Sequence, residues 1–237
     1  KEKETKMKKT AVIIAALAVA GLASAALYTD AAGEEFSGNA ILDILSVEIQ
    51  NDATDIMFTV NMAGDPTTAT GADWGKYLVA IDSVVGGDTV GNGWNRPISM
   101  SSGMDYWIGT WVDSGGGAET HSWDGAAWIR DNATWDPPSD VAVTSITTSN
   151  VTFETTLASL GLSIGDTFTF DVFTAGGNTP DSANDALSDP NQSIADWGGP
   201  YNSTSTLHYT VIPEPATIGL LGVAGLGMFL FRKKLKV

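Results

Sequence analysis

Tryptophan is concentrated in one part of this 237-residue chain. Seven of the eight tryptophans lie close together in the sequence: Trp74, Trp94, Trp107, Trp111, Trp123, Trp128 and Trp135. An indole ring has a flat apolar face, on which the C–H face of a sugar ring can stack. A row of such rings with polar neighbours for the hydroxyl groups would bind a glycan. The alternative is that these side chains fill a core or brace loops, because tryptophan is usually largely buried.

The stretch DYWIGTWVD indicates how part of such a row would be built. Alternation along a strand places Trp107, Trp111 and Asp113 on one face, with Gly109 between the two rings. The rings would then lie about 13 Å apart at about 3.3 Å per residue. A glycine-rich loop makes Trp94 the best candidate for exposure. The candidate glycan-binding residues are Trp94, Trp107, Trp111, Asn95, Arg96 and Asp113, the last three as partners for hydroxyl groups.

Acidic and amide side chains are concentrated in the stretch TPDSANDALSDPNQS. Closely spaced oxygen ligands on a turning backbone are what Ca²⁺ requires, although the spacing does not match an EF-hand. The alternative is ordinary turn chemistry, for which Asp and Asn are common. The candidate calcium ligands are Asp181, Asn184, Asp185 and Asp189.

Catalytic motifs are absent from the sequence. The two histidines, His121 and His208, have no metal-ligand spacing, and the chain has no cysteine for thiol chemistry. The 26 glycines form no phosphate-binding or nucleophile-elbow pattern and are assigned to turns. We therefore expect no enzymatic activity. A pair of acids for glycoside hydrolysis stays open, because the sequence does not give distances between carboxylates.

The charge of the central region excludes one class of partner. Only Lys76, Arg96 and Arg130 are basic between residues 26 and 212, whereas all but Glu2, Glu4 and Glu214 of the 28 acidic residues lie there. Such a surface repels phosphate backbones, so nucleic-acid binding is excluded. It suits an exported protein that must stay soluble, and it can attract divalent cations.

The elements that must position these residues are β-strands. Alternating or continuous apolar runs are separated by clusters of Gly, Asn, Asp and Pro, and helical periodicity is almost absent. Single helical turns are predicted at 157–162 and 182–187. The pattern predicts an all-β domain at residues 26–212, an antiparallel, jelly-roll-like β-sandwich. The predicted strands are 41–49, 55–62, 76–84, 104–112, 141–147, 151–157, 167–174 and 206–211.

Four stretches resemble a group of secreted β-sandwiches. In chain order they are SVEIQNDATDIMFTVNMAGD, KYLVAIDSVVGG, HSWDGAAWIRD and LGLSIGDTFTFDVFTAGG. Their pattern of strands and polar turns over about residues 40–175 resembles family-9 carbohydrate-binding modules and their DOMON-like relatives. The resemblance implies a jelly-roll-like sandwich that often carries calcium and often binds sugars.

The N-terminal segment has the layout of a secretory signal peptide. In KMKKTAVIIAALAVAGLASA, basic residues precede an apolar stretch that ends in the small residues Ala23, Ser24 and Ala25. We therefore predict a signal helix at residues 1–25, cleaved after Ala25, and export by the Sec machinery.

The C-terminal segment, residues 213–237, combines a short motif, an apolar stretch and a basic cluster. Ala216–Phe231 has no charged residue and would span about 24 Å as a helix, short of a hydrocarbon core of about 30 Å. We predict a single transmembrane helix of marginal length, with the following basic cluster held on the cytoplasmic side. Its sorting-motif residues are Pro213, Glu214, Pro215, Arg232, Lys233 and Lys234.

These three parts, in this order, resemble the PEP-CTERM sorting signal. The resemblance implies a Gram-negative-type bacterium and processing by exosortase, a membrane transpeptidase-like enzyme. It also implies a place at the cell surface or in the exopolysaccharide matrix of a biofilm. The membrane would hold the chain through its C-terminal helix before processing.

The sequence as a whole predicts a non-catalytic surface or matrix protein. It would bind extracellular polysaccharide weakly through its tryptophan-rich sandwich, with Ca²⁺ stabilising the loops. The alternatives are a purely structural surface protein with no small ligand and, more distantly, a glycoside hydrolase.

Overall fold

The computed structural model describes residues 25–69, 75–191, 196–205 and 207–213. The predicted signal helix, Trp74 and the predicted transmembrane helix lie outside these ranges. Within them, no helix is long and apolar enough to cross a membrane. The described ranges cover most of the domain predicted at residues 26–212.

The described chain is built from short strands joined by turns and 3₁₀ helices. The strands are β1 (Ala26–Thr29), β2 (Ile44–Asn51), β3 (Asp55–Met62), β4 (Lys76–Asp82), β5 (Ile98–Met100), β6 (Tyr106–Trp111), β7 (Gly117–Trp123), β8 (Trp128–Ala133), β9 (Val141–Ile146), β10 (Asn150–Thr156), β11 (Thr167–Ala175), β12 (Asp185–Ala186), β13 (Tyr201–Ser203) and β14 (Leu207–Thr210). The 3₁₀ helices are Ala40–Leu42, Pro66–Thr68, Asp113–Gly115 and Ala158–Leu160.

Two antiparallel sheets form a sandwich. The first sheet has the order β1-β2-β3-β10-β9. The second has the order β12-β11-β4-β6-β7-β8. The short strands β12 and β14 both pair with β11, β14 with its first half and β12 with its second half. The chain changes sheets between β3 and β4, between β8 and β9, and between β10 and β11. The predicted antiparallel, jelly-roll-like sandwich is confirmed.

The main core lies between the two sheets. In β3 the sequence alternates, so that Ile56, Phe58 and Val60 face inward while the residues between them are partly exposed. Phe58 stacks against Phe153 of β10 with ring centroids 5.7 Å apart. The second sheet contributes the facing side chains Tyr77, Val79, Ile81, Ile108, Phe168, Phe170 and Val172.

A second core covers the opposite face of the second sheet, which we call the outer face. Leu78 and Ala80 alternate with the inward residues of β4, and they pack with Trp107 and Phe173. The parallel pair of β5 and β13 closes this layer with side chains that include Tyr201. Both faces of the central strands β4 and β6 are therefore buried, which explains their continuous apolar runs.

Most predicted strands are present with boundaries shifted by a few residues. The prediction for β3 matches at both ends, whereas β2 begins at Ile44 rather than at residue 41. The structure adds six strands that the sequence did not predict, namely β1, β5, β7, β8, β12 and β13. Of the two predicted helical turns, the first is confirmed as the 3₁₀ helix Ala158–Leu160.

The second predicted turn, at residues 182–187, is wrong. Asp185 and Ala186 form β12 and pair with Thr174 and Phe173 of β11. Their neighbour Leu187 is buried in the main core. Pairing with an open sheet edge satisfies the backbone here, so no helical turn forms.

A buried carboxylate on β11 connects this strand to β13 and to the segment after β12. Asp171 is fully buried and accepts hydrogen bonds from the hydroxyls of Ser188 (2.6 Å) and Ser203 (2.7 Å). It also accepts from the backbone N–H groups of Val172 and Ser188. Burial outweighs these four hydrogen bonds and raises the pKa of Asp171 to about 6.

The raised pKa of Asp171 predicts a pH-dependent stability. Because the folded state holds this proton more tightly than the unfolded state, the stabilising contribution is complete below about pH 4 and is lost as the pH rises through about 6. Asp171→Asn cannot titrate. Between about pH 4 and pH 7, the free energy of unfolding of the wild type should fall relative to this variant by about 2 kcal/mol. Urea denaturation at both pH values measures the difference, and a constant difference would contradict a raised pKa.

Candidate functional site

Three tryptophans form a continuous row on the outer side of the second sheet. Trp94 comes from the loop before β5, Trp111 ends β6 and Trp135 follows β8. The ring centroids of Trp94 and Trp111 are 6.3 Å apart, and those of Trp111 and Trp135 are 5.4 Å apart. Trp135 is 54% exposed. We call Trp94, Trp111 and Trp135 the tryptophan row.

Glycines in the sheet make room for two rings of the row. The ring of Trp94 lies against Gly109 of β6, and the ring of Trp111 lies against Gly117 of β7. A Cβ atom at either glycine would overlap the ring above it. The gap that the sequence predicted at Gly109 exists, but Trp94 fills it, so it is not open to a ligand.

The loop that carries Trp94 is held by one side chain. The Asn92 Oδ1 atom accepts from the backbone N–H groups of Trp94 (3.1 Å) and Arg96 (3.2 Å). Its Nδ2 group donates to the carbonyl oxygens of Arg96 and Ile98, both at 2.8 Å. Asn95 is exposed at the tip of this turn with a φ of 52°, a conformation that asparagine tolerates better than most residues. Asn92 thus holds the loop backbone from which the side chains of Trp94 and Arg96 project.

All the basic side chains of the described ranges lie beside the tryptophan row. The Arg96 guanidinium is 5.3 Å from the ring centroid of Trp94, and that of Arg130 is 5.5 Å from the ring centroid of Trp135. Lys76, which is paired with Trp111 across β4 and β6, forms a buried ion pair with Asp113. An otherwise very acidic domain therefore concentrates its positive charge at these rings.

Arg96 is the most unusual of these cations. It is buried, and burial lowers its pKa to about 10, so it stays charged at neutral pH. One terminal nitrogen donates to the carbonyl oxygen of Asp181 at 2.9 Å. Its Nε atom is buried and has no hydrogen-bond partner among the described residues. A buried donor without a partner is uncommon and marks a place where a ligand oxygen or a water can bind.

A cavity of about 310 Å³ opens between the row and the neighbouring loop. Two of the three rings form its apolar wall, and the two cations and a threonine hydroxyl supply hydrogen-bond donors. This combination of flat apolar surface and convergent donors suits a small polar ligand with apolar faces. Its lining residues are Lys76, Trp94, Arg96, Trp111, Gly177 and Thr179.

Glu119 lies below the row and anchors it. Its carboxylate accepts a hydrogen bond from the indole nitrogen of Trp94, and its Oε1 atom is 3.0 Å from Nε2 of His121. Both Glu119 and His121 are buried. The second histidine, His208, is exposed on β14, with Nδ1 3.1 Å from the hydroxyl of Thr169. The two histidines are therefore in separate parts of the domain.

The structure brings together four of the six predicted glycan-binding residues and corrects the roles of several. Trp94, Arg96 and Trp111 line one cavity, with Asp113 beside it. Trp107 is fully buried and stacks with Phe173, so its predicted place on the binding surface is wrong. Asp113 is held by Lys76 instead of facing solvent, and Trp94 is half-buried.

Sequence reasoning missed Trp135, Arg130 and Lys76 as members of this site. For Trp135 a signal was present, because it lies in the polar, proline-rich stretch DNATWDPPSD. A large apolar ring in such a turn is more exposed than one in a strand.

The predicted calcium ligands do not converge. Asp181 accepts from the backbone N–H of Asn178 (3.0 Å), whereas Asp189 accepts from that of Asn191 (3.1 Å). Asp185 accepts from the N–H of Ile44 at the start of β2 (2.6 Å). Asn184 is fully buried rather than exposed in a surface loop. In the described ranges, the group of converging carboxylates contains Asp185 but neither Asp181 nor Asp189, so the four predicted residues do not form one ligand set.

Comparison with known proteins identifies the C-terminal segment. A family model of the PEP-CTERM protein-sorting motif matches residues 211–234, which include all six predicted sorting-motif residues. Of these, Pro213 is exposed, and the other five lie outside the described ranges. No curated protein matches the chain. The resemblance to family-9 carbohydrate-binding modules stays a prediction.

The contact between the Trp94 ring and Gly109 predicts that a larger residue at position 109 destabilises the domain. In Gly109→Ala the added methyl group must displace the Trp94 ring, which should cost about 1–3 kcal/mol of unfolding free energy. The near-ultraviolet circular dichroism of the tryptophans should change as well. Gly198→Ala is the matched control, because the nearest atom to its added Cβ is 3.8 Å away. Equal stability of the two variants would show that the Trp94 ring does not pack against Gly109.

Proposed function

We propose that this chain, an exported cell-surface protein sorted by exosortase through its PEP-CTERM motif, binds glycans along the tryptophan row. The sorting motif determines the location of the protein, because the C-terminal segment anchors it in the membrane until exosortase processes it. The ligand we propose is the extracellular polysaccharide that surrounds the cell. The role is that of a non-catalytic component of the polysaccharide matrix.

The observation that carries this proposal is that all the basic side chains of the described ranges lie beside the tryptophan row. A row of three rings provides successive flat surfaces for the apolar faces of sugar rings. Arg96 and Arg130, each beside an end ring, provide donors for hydroxyl or carboxylate oxygens. A core-filling cluster would need neither an exposed ring such as Trp135 nor flanking cations.

Weak binding is expected from an open surface of this kind. Only part of each ring is exposed, and the cavity beside the row is small, so few contacts are made by each sugar. A dissociation constant near 1 mM corresponds to about −4 kcal/mol. Many such contacts along one polysaccharide would still hold the protein in a matrix through avidity.

A non-catalytic role is supported by the state of the nearest acids. Glycoside hydrolysis needs two carboxyl groups that flank the scissile bond. Asp113 is committed to Lys76, and Glu119 is committed to Trp94 and His121. Incubation of the protein with polysaccharides should therefore release no reducing ends. Release that depends on one of these acids would support a hydrolase instead.

Glycan binding predicts a loss of affinity in Trp135→Ala without loss of stability. Because the ring is 54% exposed, its removal should weaken binding at least tenfold and change the melting temperature little. The full chain, purified in a detergent without a sugar headgroup, is titrated against neutral and uronic-acid polysaccharides by calorimetry. Ile129→Ala is the matched control: this residue is 46% exposed on β8, and its partner Ser122 faces away from the row.

The outcomes of this experiment separate the competing functions. Binding that is lost in Trp135→Ala and kept in Ile129→Ala supports the tryptophan row as the site. Binding kept in both variants would contradict the proposed site. The absence of binding by the wild type across the panel would favour a purely structural surface protein.

The sorting motif predicts a processing defect in Glu214→Ala. Because Glu214 is the acidic residue of the Pro-Glu-Pro triplet, its loss should leave the C-terminal segment attached and the protein in the membrane fraction. Mass spectrometry of the protein recovered from cells gives the C-terminal boundary. Glu154→Ala controls for expression and export. Normal processing of Glu214→Ala would contradict recognition through this residue.

A further inference from the structure

Carboxylates from distant parts of the chain meet beside β12, at the edge of the second sheet opposite β8. In the described ranges, Asp30, Glu34 and Asp185 each place one carboxylate oxygen so that all three atoms lie within 4.8 Å of one another. Asp30 follows β1, Glu34 lies in the next loop and Asp185 begins β12. The cluster therefore joins an edge of the first sheet to an edge of the second.

A fourth carboxylate, outside this group of three, is hydrogen-bonded to the loop that carries two of its members. Asp43, immediately before β2, is 4% exposed. Its Oδ2 atom accepts from the backbone N–H of Gly33 at 3.0 Å. Its Oδ1 atom is buried and has no hydrogen-bond partner among the described residues. Because Gly33 immediately precedes Glu34 in the chain, Asp43 lies beside the loop that carries Asp30 and Glu34.

Further carboxylate oxygens on the segment from Asp30 to Glu35 are buried and have no hydrogen-bond partner among the described residues. They are Asp30 Oδ2, both side-chain oxygens of Glu34 and Glu35 Oε2. Buried polar atoms normally have partners, so several unpartnered carboxylate oxygens on one short segment favour the binding of a positively charged ligand. A hydrogen bond from Ala31 satisfies one oxygen of Asp30, whereas the two oxygens of Asp185 accept from the backbone N–H groups of Ile44 and Ala186.

No basic side chain of the described ranges can compensate this charge. Lys76 is paired with Asp113, and Arg96 and Arg130 lie at the tryptophan row. The negative charge of this cluster is therefore not neutralised by any side chain of the described ranges.

We propose that Asp30, Glu34, Asp43 and Asp185 bind one Ca²⁺ ion. All the available ligand atoms are oxygens, which excludes the nitrogen and sulfur ligands that zinc sites usually contain. Carboxylates on an irregular loop suit the 6 to 8 ligands and flexible geometry of Ca²⁺, whereas Mg²⁺ demands a stricter octahedron and keeps several waters. Two of the four residues, Asp30 and Asp43, lie beside the strand ends of the first sheet, so the ion would bridge both sheets.

This site differs from the sequence-predicted calcium site and from the glycan site. Of the predicted ligands only Asp185 belongs to it. It lies at the opposite edge of the second sheet from β8, which precedes Trp135. The ion would therefore stabilise the sandwich and would make no contact with a glycan on the row.

Calorimetric titration of the metal-free full chain with CaCl₂ tests the proposal. The chain is purified in detergent, treated with EDTA and dialysed before titration. We expect one Ca²⁺ per chain, a dissociation constant of about 10⁻⁴ M or tighter, and at least tenfold weaker binding of Mg²⁺. The melting temperature should rise with Ca²⁺ and return to its initial value with EDTA.

Paired substitutions assign the ion to these residues. The double variant Asp30→Asn/Glu34→Gln should bind Ca²⁺ at least 100-fold more weakly and show no calcium-dependent shift in melting temperature. Its metal-free melting temperature should not fall below that of the wild type, because the substitutions remove repulsion. Asp140→Asn/Glu154→Gln, at acids outside the cluster, is the matched control and should bind as the wild type does.

The outcomes are decisive in each direction. No saturable heat and no melting shift in the wild type would overturn the proposal, as would wild-type affinity in Asp30→Asn/Glu34→Gln. If that variant does not fold, Asp43→Asn provides a milder change, and it should weaken Ca²⁺ binding at least tenfold. Unchanged binding in Asp43→Asn would then overturn the assignment. Trp135→Ala should bind Ca²⁺ normally, which separates this result from the test of glycan binding.

Discussion

The structure depends on the burial of both faces of the central strands of the second sheet. β4 and β6 carry apolar side chains at successive positions, so one face packs against the first sheet and the other needs a second cover. Loops and the short β5–β13 pair supply that cover over Leu78 and Trp107. The long glycine- and asparagine-rich connections thus form a structural layer, and the residues they carry are held in fixed positions against the sheet.

This layer explains why polar and aromatic side chains accumulate on the outer side. The loop before β5 packs the Trp94 ring against Gly109 and places the Arg96 guanidinium over the same ring. Trp94 therefore both packs against the sheet and forms part of the cavity wall. At the opposite edge, β12 brings Asp185 to the acids that follow β1. One sandwich therefore carries two separate sites, one with the basic side chains and one with unpaired carboxylates, at its two sides. The sorting motif adds only the route by which this domain reaches the surface.

Local signals made the sandwich and the sorting motif predictable from the sequence, because they are patterns within a few residues. Alternation in β3 and the β-branched and aromatic residues of β11 are visible without a structure. By contrast, β7 and β8 carry Glu119, His121 and Arg130 and lack an apolar pattern, because their partners and covering loops decide their burial. The contact of Trp94 with Gly109, and the meeting of Asp30 with Asp185, join positions far apart in the chain. No local pattern contains such contacts, and for the same reason buried Trp107 could not be told from half-buried Trp111 on one strand face.

The central claim is that a glycan lies on the tryptophan row, and the indole N–H resonances of the full chain report on it directly. Nitrogen-15 labelling gives one such signal for each tryptophan, assigned by single Trp→Phe substitutions. Addition of soluble fragments of the cell's polysaccharide should shift the signals of Trp135 and Trp111 saturably and leave that of buried Trp107 unchanged. Saturable shifts confined to tryptophans outside the row, or no shift at any concentration, would contradict the account.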